Sequence, residues 1–239
     1  MRIALCLSGK PRCYDYHWDT IKNLFSPHTV DVFAHFWEDE VSAEDKDWIF
    51  ENYRPKLLLW EREPQEVFRR WHSDTAHNKA PGRDHYNTFP MRYSMFRANE
   101  LKKQHENRYD FKYDAVCRAR TDLWFQSDWT NALAQIKPNT VIIPHDRHYD
   151  GGYNDNIAVG DSASMDHYAN MWNWLSEALA INIQYGIETM TREYLDNHTP
   201  CTVIQEPVHY KIIRPSHRTT AYEQIPYNAY DPEQGIRIA

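Results

Sequence analysis

At 239 residues the chain is long enough to bury a sizeable core in one large domain, and 14% aromatic residues with a mean hydropathy of -0.80 imply a soluble protein whose interior is rich in Tyr, Trp and Phe. A formal charge of -7 without any Lys/Arg block argues against a broad nucleic-acid footprint. Seven glycines and no Gly-x-Gly-x-x-Gly argue against a glycine-rich dinucleotide-binding loop.

The chain opens on a compact apolar strand, Ile3 to Leu7. That run is too short, and too soon followed by Gly9-Lys10-Pro11-Arg12, to be a signal peptide or a membrane span, so a cytoplasmic protein without a transmembrane segment is expected. The loop Ser8 to Arg12 leads into a helix with Tyr14, Trp18, Ile21 and Phe25 on one face. A second strand is expected at Val30 to Phe36, and a third at Leu57 to Trp60 after the Arg54-Pro55 break. These spacings allow helical crossovers between parallel strands. A helix follows near Gln65 to Trp71, then a polar loop carrying Pro81-Gly82.

Pro90 opens a long helix whose inner positions read Met91, Met95, Ala98, Leu101, His105 and Tyr109. It feeds a strand read from Tyr113 to Phe125, and a further short strand lies at Val141 to Ile143. After Gly151-Gly152 come Asn154-Asp155-Asn156, a strand from Ile157 to Gly160, and Ser162 as a helix cap. Met165, Tyr168, Trp172, Leu175 and Leu179 then mark a buried helix face. A helix around Glu188 to Leu195 and a last strand near Tyr210 to Ile213 complete the sheet. The fold class is α/β: one domain over residues 1–215 with a central mostly parallel sheet flanked by helices, and a tail, 216–239, wrapping it. The four cysteines show no Cys-x-x-Cys spacing and read as free thiols.

Chemistry concentrates in Tyr113 to Phe125, where a buried strand ends in Arg118, Arg120 and Asp122. Strand side chains alternate faces, so these three would share one side. In open α/β sheets ligands bind at that carboxyl edge, and this charge mixture suits a diphosphate with a divalent metal. Asp155, among turn-forming residues at the mouth of a strand, is either a reactive carboxylate or the organiser of an Asx-turn. Glu188 is either a second such carboxylate or a helix-start residue favoured by the macrodipole. Lys10 reads as solvated and His35 as a satisfied core or edge histidine. His145 and His148 read as surface-loop residues rather than a metal pair.

The ordered set Ser-Gly-x-x-Arg, Val-Asp-Val-Phe-Ala-His-Phe-Trp, Tyr-Asp-x-x-x-Arg-x-Arg-x-Asp-Leu and Asn-Asp-Asn-Ile-Ala-Val-Gly resembles a family of small GT-A-type glycosyltransferases associated with bacterial surface-polysaccharide synthesis, with viral members. The resemblance implies a GT-A-like (Rossmann-like) fold and transfer of a sugar from a nucleoside diphosphate sugar to a hydroxyl of a glycan or other acceptor, a modified nucleobase included. It implies Mn2+ or Mg2+ as cofactor, held at an Asp-x-Asp motif; here Arg120-Thr121-Asp122 stands in that place. Asp122 would hold the metal, with a late histidine, His209 or His217, or Arg118 and Arg120 would neutralise the diphosphate without one. Ser8, Gly9 and Arg12 would contact the nucleotide, and Asp155 or Glu188 would take the acceptor's proton. A non-catalytic nucleotide- or glycan-binding module and a metal-dependent nucleotide phosphohydrolase are the alternatives.

Overall fold

A computed structural model describes residues 1–74, 86–126, 129–146, 151–180 and 186–213. Strands β1 (Arg2–Gly9), β2 (Thr29–Trp37) and β3 (Leu57–Glu61) alternate with helices α1 (Tyr14–Leu24) and α2 (Ala43–Tyr53). Then come α3 (Gln65–Asp74), the long α4 (Thr88–Tyr109), β4 (Ala115–Ala119), β5 (Leu123–Phe125), α5 (Thr130–Ala134) and β6 (Thr140–Pro144). The described chain ends with β7 (Ile157–Gly160), α6 (Ser162–Ala169), α7 (Met171–Ala180), α8 (Ile187–Asn197), β8 (Thr202–Glu206) and β9 (Tyr210–Ile212). Seven strands form one sheet in the order β3-β2-β1-β4-β7-β6-β8, in which β7 alone runs against both neighbours.

The two-residue period of β1 divides the core. Ile3, Leu5 and Leu7 join one apolar cluster, beneath α1 and α2, while Ala4 and Cys6 join the other, beneath α4, α6 and α7. Both faces are covered, which is why the strand reads as a continuous apolar run. The same division assigns Cys117 and Ala119 to the first face and Val116 to the second, so Arg118 emerges on the α4 side. Ser42 and Asp45 close a capping box at the start of α2. All four cysteines are free and buried, and burial pushes the Cys6 thiol up to about 12. Among the described residues no helix is long and apolar enough to cross a membrane.

Several expectations need correction. The strand read from Tyr113 to Phe125 is two: β4 stays in the main sheet, the chain turns at Thr121 and Asp122, and β5 pairs with β9 in a separate ribbon. The strand expected to complete the sheet therefore lies outside it, and the unexpected β8 takes the edge beside β6. Asp161, not Ser162, caps α6 by accepting from the Ser164 amide at 2.8 Å. The apolar face expected from Met165 onward breaks at Asn170 into α6 and α7. Tyr109, taken as an inner position, is 61% exposed at the end of α4. The 216–239 tail and His217 lie outside the described residues, as do Pro81-Gly82 and His148.

Candidate active site at the carboxyl edge of the sheet

A cavity of about 730 Å³ opens where β1, β2 and β4 end. Ser8, Gly9, Arg12, Arg118, Arg120, Asp122, Asp155 and Glu188 all line it, so residues 180 positions apart in sequence meet in one place. His209 does not line it; exposed, it precedes β9 and accepts from the Gln126 amide through its carbonyl at 2.9 Å.

The first-strand loop is held by its backbone. Gly9 has φ 103°, a region that favours glycine, and a side chain there would meet nothing within 4 Å. Its amide donates to Ser94 Oγ at 2.7 Å, Ser94 Oγ lies 2.8 Å from His35 Nδ1, and His35 Nε2 lies 2.9 Å from Glu61 Oε2. His35 is fully buried, and burial keeps its pKa below the ordinary value against the pull of Glu61. The Ser94 hydroxyl also donates to the His35 carbonyl at 3.0 Å, so Ser94 ties the Gly9 loop to both the ring and the backbone of His35. On the other side, Thr121 Oγ1 accepts from the Arg12 amide at 3.2 Å and donates to the Lys10 carbonyl at 3.3 Å, tying the loop to the turn after β4.

Arg120 and Asp122 are brought face to face by that turn. Arg120 donates to both Asp122 oxygens, Nε at 2.8 Å and Nη2 at 2.7 Å, and its Nη1 reaches Asn156 Oδ1 at 3.2 Å. Burial works to lower the Arg120 pKa, but the Asp122 carboxylate prevails and raises it. Thus Arg120 is compensated within the chain. Arg118 is not: 3% exposed, it donates through Nη1 to the Asp155 carbonyl, while its Nε and Nη2 are buried without a hydrogen-bond partner. Burial lowers its pKa, and Tyr168 and Asp155 act in the opposite direction.

The asparagines, not Asp155, organise the loop before β7. Asn154 Oδ1 accepts from the Asn156 amide at 2.9 Å, and the Tyr210 hydroxyl accepts from Asn154 Nδ2 at 2.7 Å and Asn156 Nδ2 at 2.9 Å. The Asx-turn role therefore falls to Asn154, and the Asp155 carboxylate, on a residue 5% exposed, has no hydrogen bond or ion pair among the described residues. Glu188 sits in the first turn of α8, half-buried, against the segment that leads to Asp155. The contact is close: the Tyr153 amide donates to the Glu188 carbonyl at 2.9 Å, and a Cβ on Gly152 would lie 2.1 Å from the Glu188 carbonyl carbon.

The donor set does not fit a resident divalent metal. Both Asp122 oxygens are engaged by Arg120, His209 lies off the cavity, and no group of three or more His, Cys, Asp or Glu that could hold a metal ion occurs among the described residues.

Sequence reasoning missed four contributors. Lys10 and Thr121 are drawn in by the loop geometry, and Glu63 accepts from the Tyr86 hydroxyl at 2.5 Å on the wall formed by α3 and α4. Arg92, 1% exposed on α4, stands behind the cavity wall. Its signal was present: Arg92, Asn99, Lys102 and Glu106 recur at helical steps in phase with Met95, marking a buried polar stripe.

No protein-family profile matches the chain, and no curated protein matches it. Solved structures do match. One is the crystal structure of mouse Xyloside xylosyltransferase 1 in its apo form, 8% identical, with the match covering 86% of this chain and 84% of that chain at a TM-score of 0.44. Likeness at that level carries nothing about activity, so function has to come from the site itself.

Proposed function

We propose that the protein is a glycosyltransferase that moves a sugar from a nucleoside diphosphate sugar to a hydroxyl acceptor. The observation that carries this reading is a nearly buried Asp155 carboxylate, unengaged among the described residues, beside the buried cation Arg118 in the carboxyl-edge cavity. Transfer forms a bond between the acceptor oxygen and the anomeric carbon as the bond from that carbon to the phosphate oxygen breaks. The electron pair leaves with the diphosphate, where Arg118, with Arg120, Lys10 and Arg12 at the same cavity, stabilises growing negative charge. The acceptor's proton passes to Asp155, with Glu188, which lines the same cavity, as the second candidate base. Ser8 and the open space over Gly9 receive the nucleotide.

On this reading arginines, not a metal, neutralise the leaving group, since Asp122 is occupied by Arg120. That same arrangement gives no support to a metal-dependent phosphohydrolase. The motif resemblance supports a glycan acceptor and a cytoplasmic, surface-polysaccharide role.

The test is to incubate the purified protein with a panel of nucleotide sugars, with Mn2+ or with chelator, and to measure release of nucleoside diphosphate. Turnover is expected with either addition, and Asp155→Asn should lower it by about 10²–10⁴-fold without loss of folding. No release and no donor binding across the panel would sink the reading; undiminished turnover in Asp155→Asn would remove Asp155 from it.

A further inference from the structure

The guanidinium groups of this protein use one edge repeatedly. Arg2 gives Nε and Nη2 to Asp31 at 3.0 and 2.8 Å, and Arg120 gives the same pair to Asp122 at 2.8 and 2.7 Å. In Arg120 the two N–H bonds run to the two separate oxygens of Asp122, the fork that matches a carboxylate or phosphate, while both of those from Arg2 converge on Asp31 Oδ2. In Arg118 the same edge is buried and open: Nε and Nη2 have no partner, while Nη1 alone is fixed by the Asp155 carbonyl.

The surroundings are built for the same demand. Arg118 leaves β4 on the face covered by α4 and α6; its register partner on β1 is Cys6, and Ser8, two residues further along β1, lies on the same face. Ser8 Oγ is buried without a partner. From α6, the fully buried Tyr168 hydroxyl interacts with the Arg92 guanidinium without forming a well-aligned hydrogen bond, and from α4 Arg92 is held by the Ile187 carbonyl at 3.0 Å and by Thr191 Oγ1, leaving Nε open. Arg118, Arg92 and Tyr168 act on one another electrostatically, and neither arginine has an ion pair with a carboxylate among the described residues. Two buried cations and two hydroxyls without full hydrogen bonds are a costly arrangement unless a ligand meets them.

We propose that Arg118, Arg92, Tyr168 and Ser8 form a seat for one oxyanion of the ligand, gripped in bidentate fashion by Nε and Nη2 of Arg118. This deepens the donor-site reading and rests on it in one respect: phosphate is taken as the source of the oxyanion. An acidic sugar's carboxylate has the same chemistry. Arg118 and Ser8 line the cavity and touch the anion, Arg92 and Tyr168 act on it from behind the wall, and Arg120, compensated by Asp122, contributes less.

Calorimetry on the full chain tests the seat with inorganic pyrophosphate and, separately, glucuronate. Pyrophosphate is expected to bind; Arg118→Lys, which keeps the charge but lacks the fork, should weaken it about tenfold or more, and Tyr168→Phe about threefold to tenfold. Thermal unfolding checks that both variants fold. If Arg118→Lys fails to fold, Tyr168→Phe decides alone. Wild-type affinity in a folded variant, or no binding of either anion by the unmodified protein, overturns the seat. Binding of glucuronate without pyrophosphate, weakened by the same variants, supports the seat and removes the diphosphate from it. Pyrophosphate binding with those losses, together with no consumption of any nucleotide sugar, supports the seat while the transferase reading falls.

Discussion

The central sheet buries charge at both of its edges, and the two edges treat it differently. At the amino edge Asp31, 6% exposed, is met by Arg2 through two bonds, by Lys56 at 3.4 Å and by the Tyr113 hydroxyl at 2.9 Å. Nearby, the fully buried Lys102 and Glu106 pair at 3.2 Å, with Ser162, Lys112 and Asp166 completing the cluster. At the carboxyl edge, Arg118, Arg92, Tyr168 and Ser8 bury donors without well-formed hydrogen bonds, and Asp155 lines the cavity with neither a hydrogen bond nor an ion pair among the described residues. A buried polar group left unmatched costs roughly 1–3 kcal/mol. The amino edge thus meets its charges within the chain, whereas the carboxyl edge leaves donors for the anion proposed above to meet.

The largest effect should come from disturbing how the carboxyl edge is held, because backbone contacts rather than ion pairs position it. In Gly152→Ala the new methyl would collide with the backbone of Glu188 and Thr189 at 2.1–2.4 Å, and neither can yield as a flexible side chain does. We expect a loss of about 2–3 kcal/mol in denaturant unfolding, with a matching fall in turnover as the Asp155 loop is pushed off α8. Gly9→Ala is the control that sharpens the point. No atom stands in its way, so only the strain of φ 103° remains and the loss should be about 1 kcal/mol.

How much of this was legible follows the range of the interactions. Strands β1 to β3 were readable because both-face burial makes an apolar run and the Ser8 to Arg12 and Arg54-Pro55 breaks punctuate it. The gathering of Ser8, Arg118, Arg120 and Asp122 was readable as well, since carboxyl ends of parallel strands converge, whereas Asp155 joins them because β7 runs antiparallel and starts at that edge. The split between β4 and β5 was not. Leu123 to Phe125 is as strand-like as Ala115 to Ala119, and a period of two cannot report that the chain has changed sheets. Nor could local pattern link Arg92 on α4 with Tyr168 on α6, each of which sits in phase with apolar neighbours and reads as helix interior. The engagement of Asp122 was hidden for a related reason: in the motif position it looked available, and only the turn brings Arg120 onto both of its oxygens.

The amino edge gives the next largest effect. Tyr113→Phe removes the hydroxyl that reaches Asp31 and lies 3.2 Å from His105 Nδ1, and should cost about 2 kcal/mol at neutral pH. Burial alone would raise the Asp31 pKa, but Arg2 and Tyr113 prevail and hold it below the ordinary carboxylate value. A carboxylate whose folded pKa is depressed contributes stability that is present above its unfolded value, about 3.9, and is lost as pH falls through the folded value. The difference between the native protein and Tyr113→Phe should therefore shrink as unfolding is measured at successively lower pH below about 4. A difference that stays constant would mean that the hydroxyl stabilises by packing and not through the carboxylate.

The smallest effect is the most diagnostic, because it reverses sign under the same chemical change. Tyr168→Phe deletes a hydroxyl as buried as that of Tyr113, but one that meets only Arg92 and without a well-aligned hydrogen bond, so the folded chain should gain about 1 kcal/mol rather than lose it. Unfolding curves of the two Tyr→Phe variants, collected side by side without ligand, read the contrast directly. Saturating pyrophosphate should then cancel the gain, since bound anion stabilises the native Tyr168 protein more than the variant by mass action. Two variants that lose stability equally would show that the Tyr168 hydroxyl is as well satisfied as that of Tyr113, and the asymmetry between the edges would disappear with it.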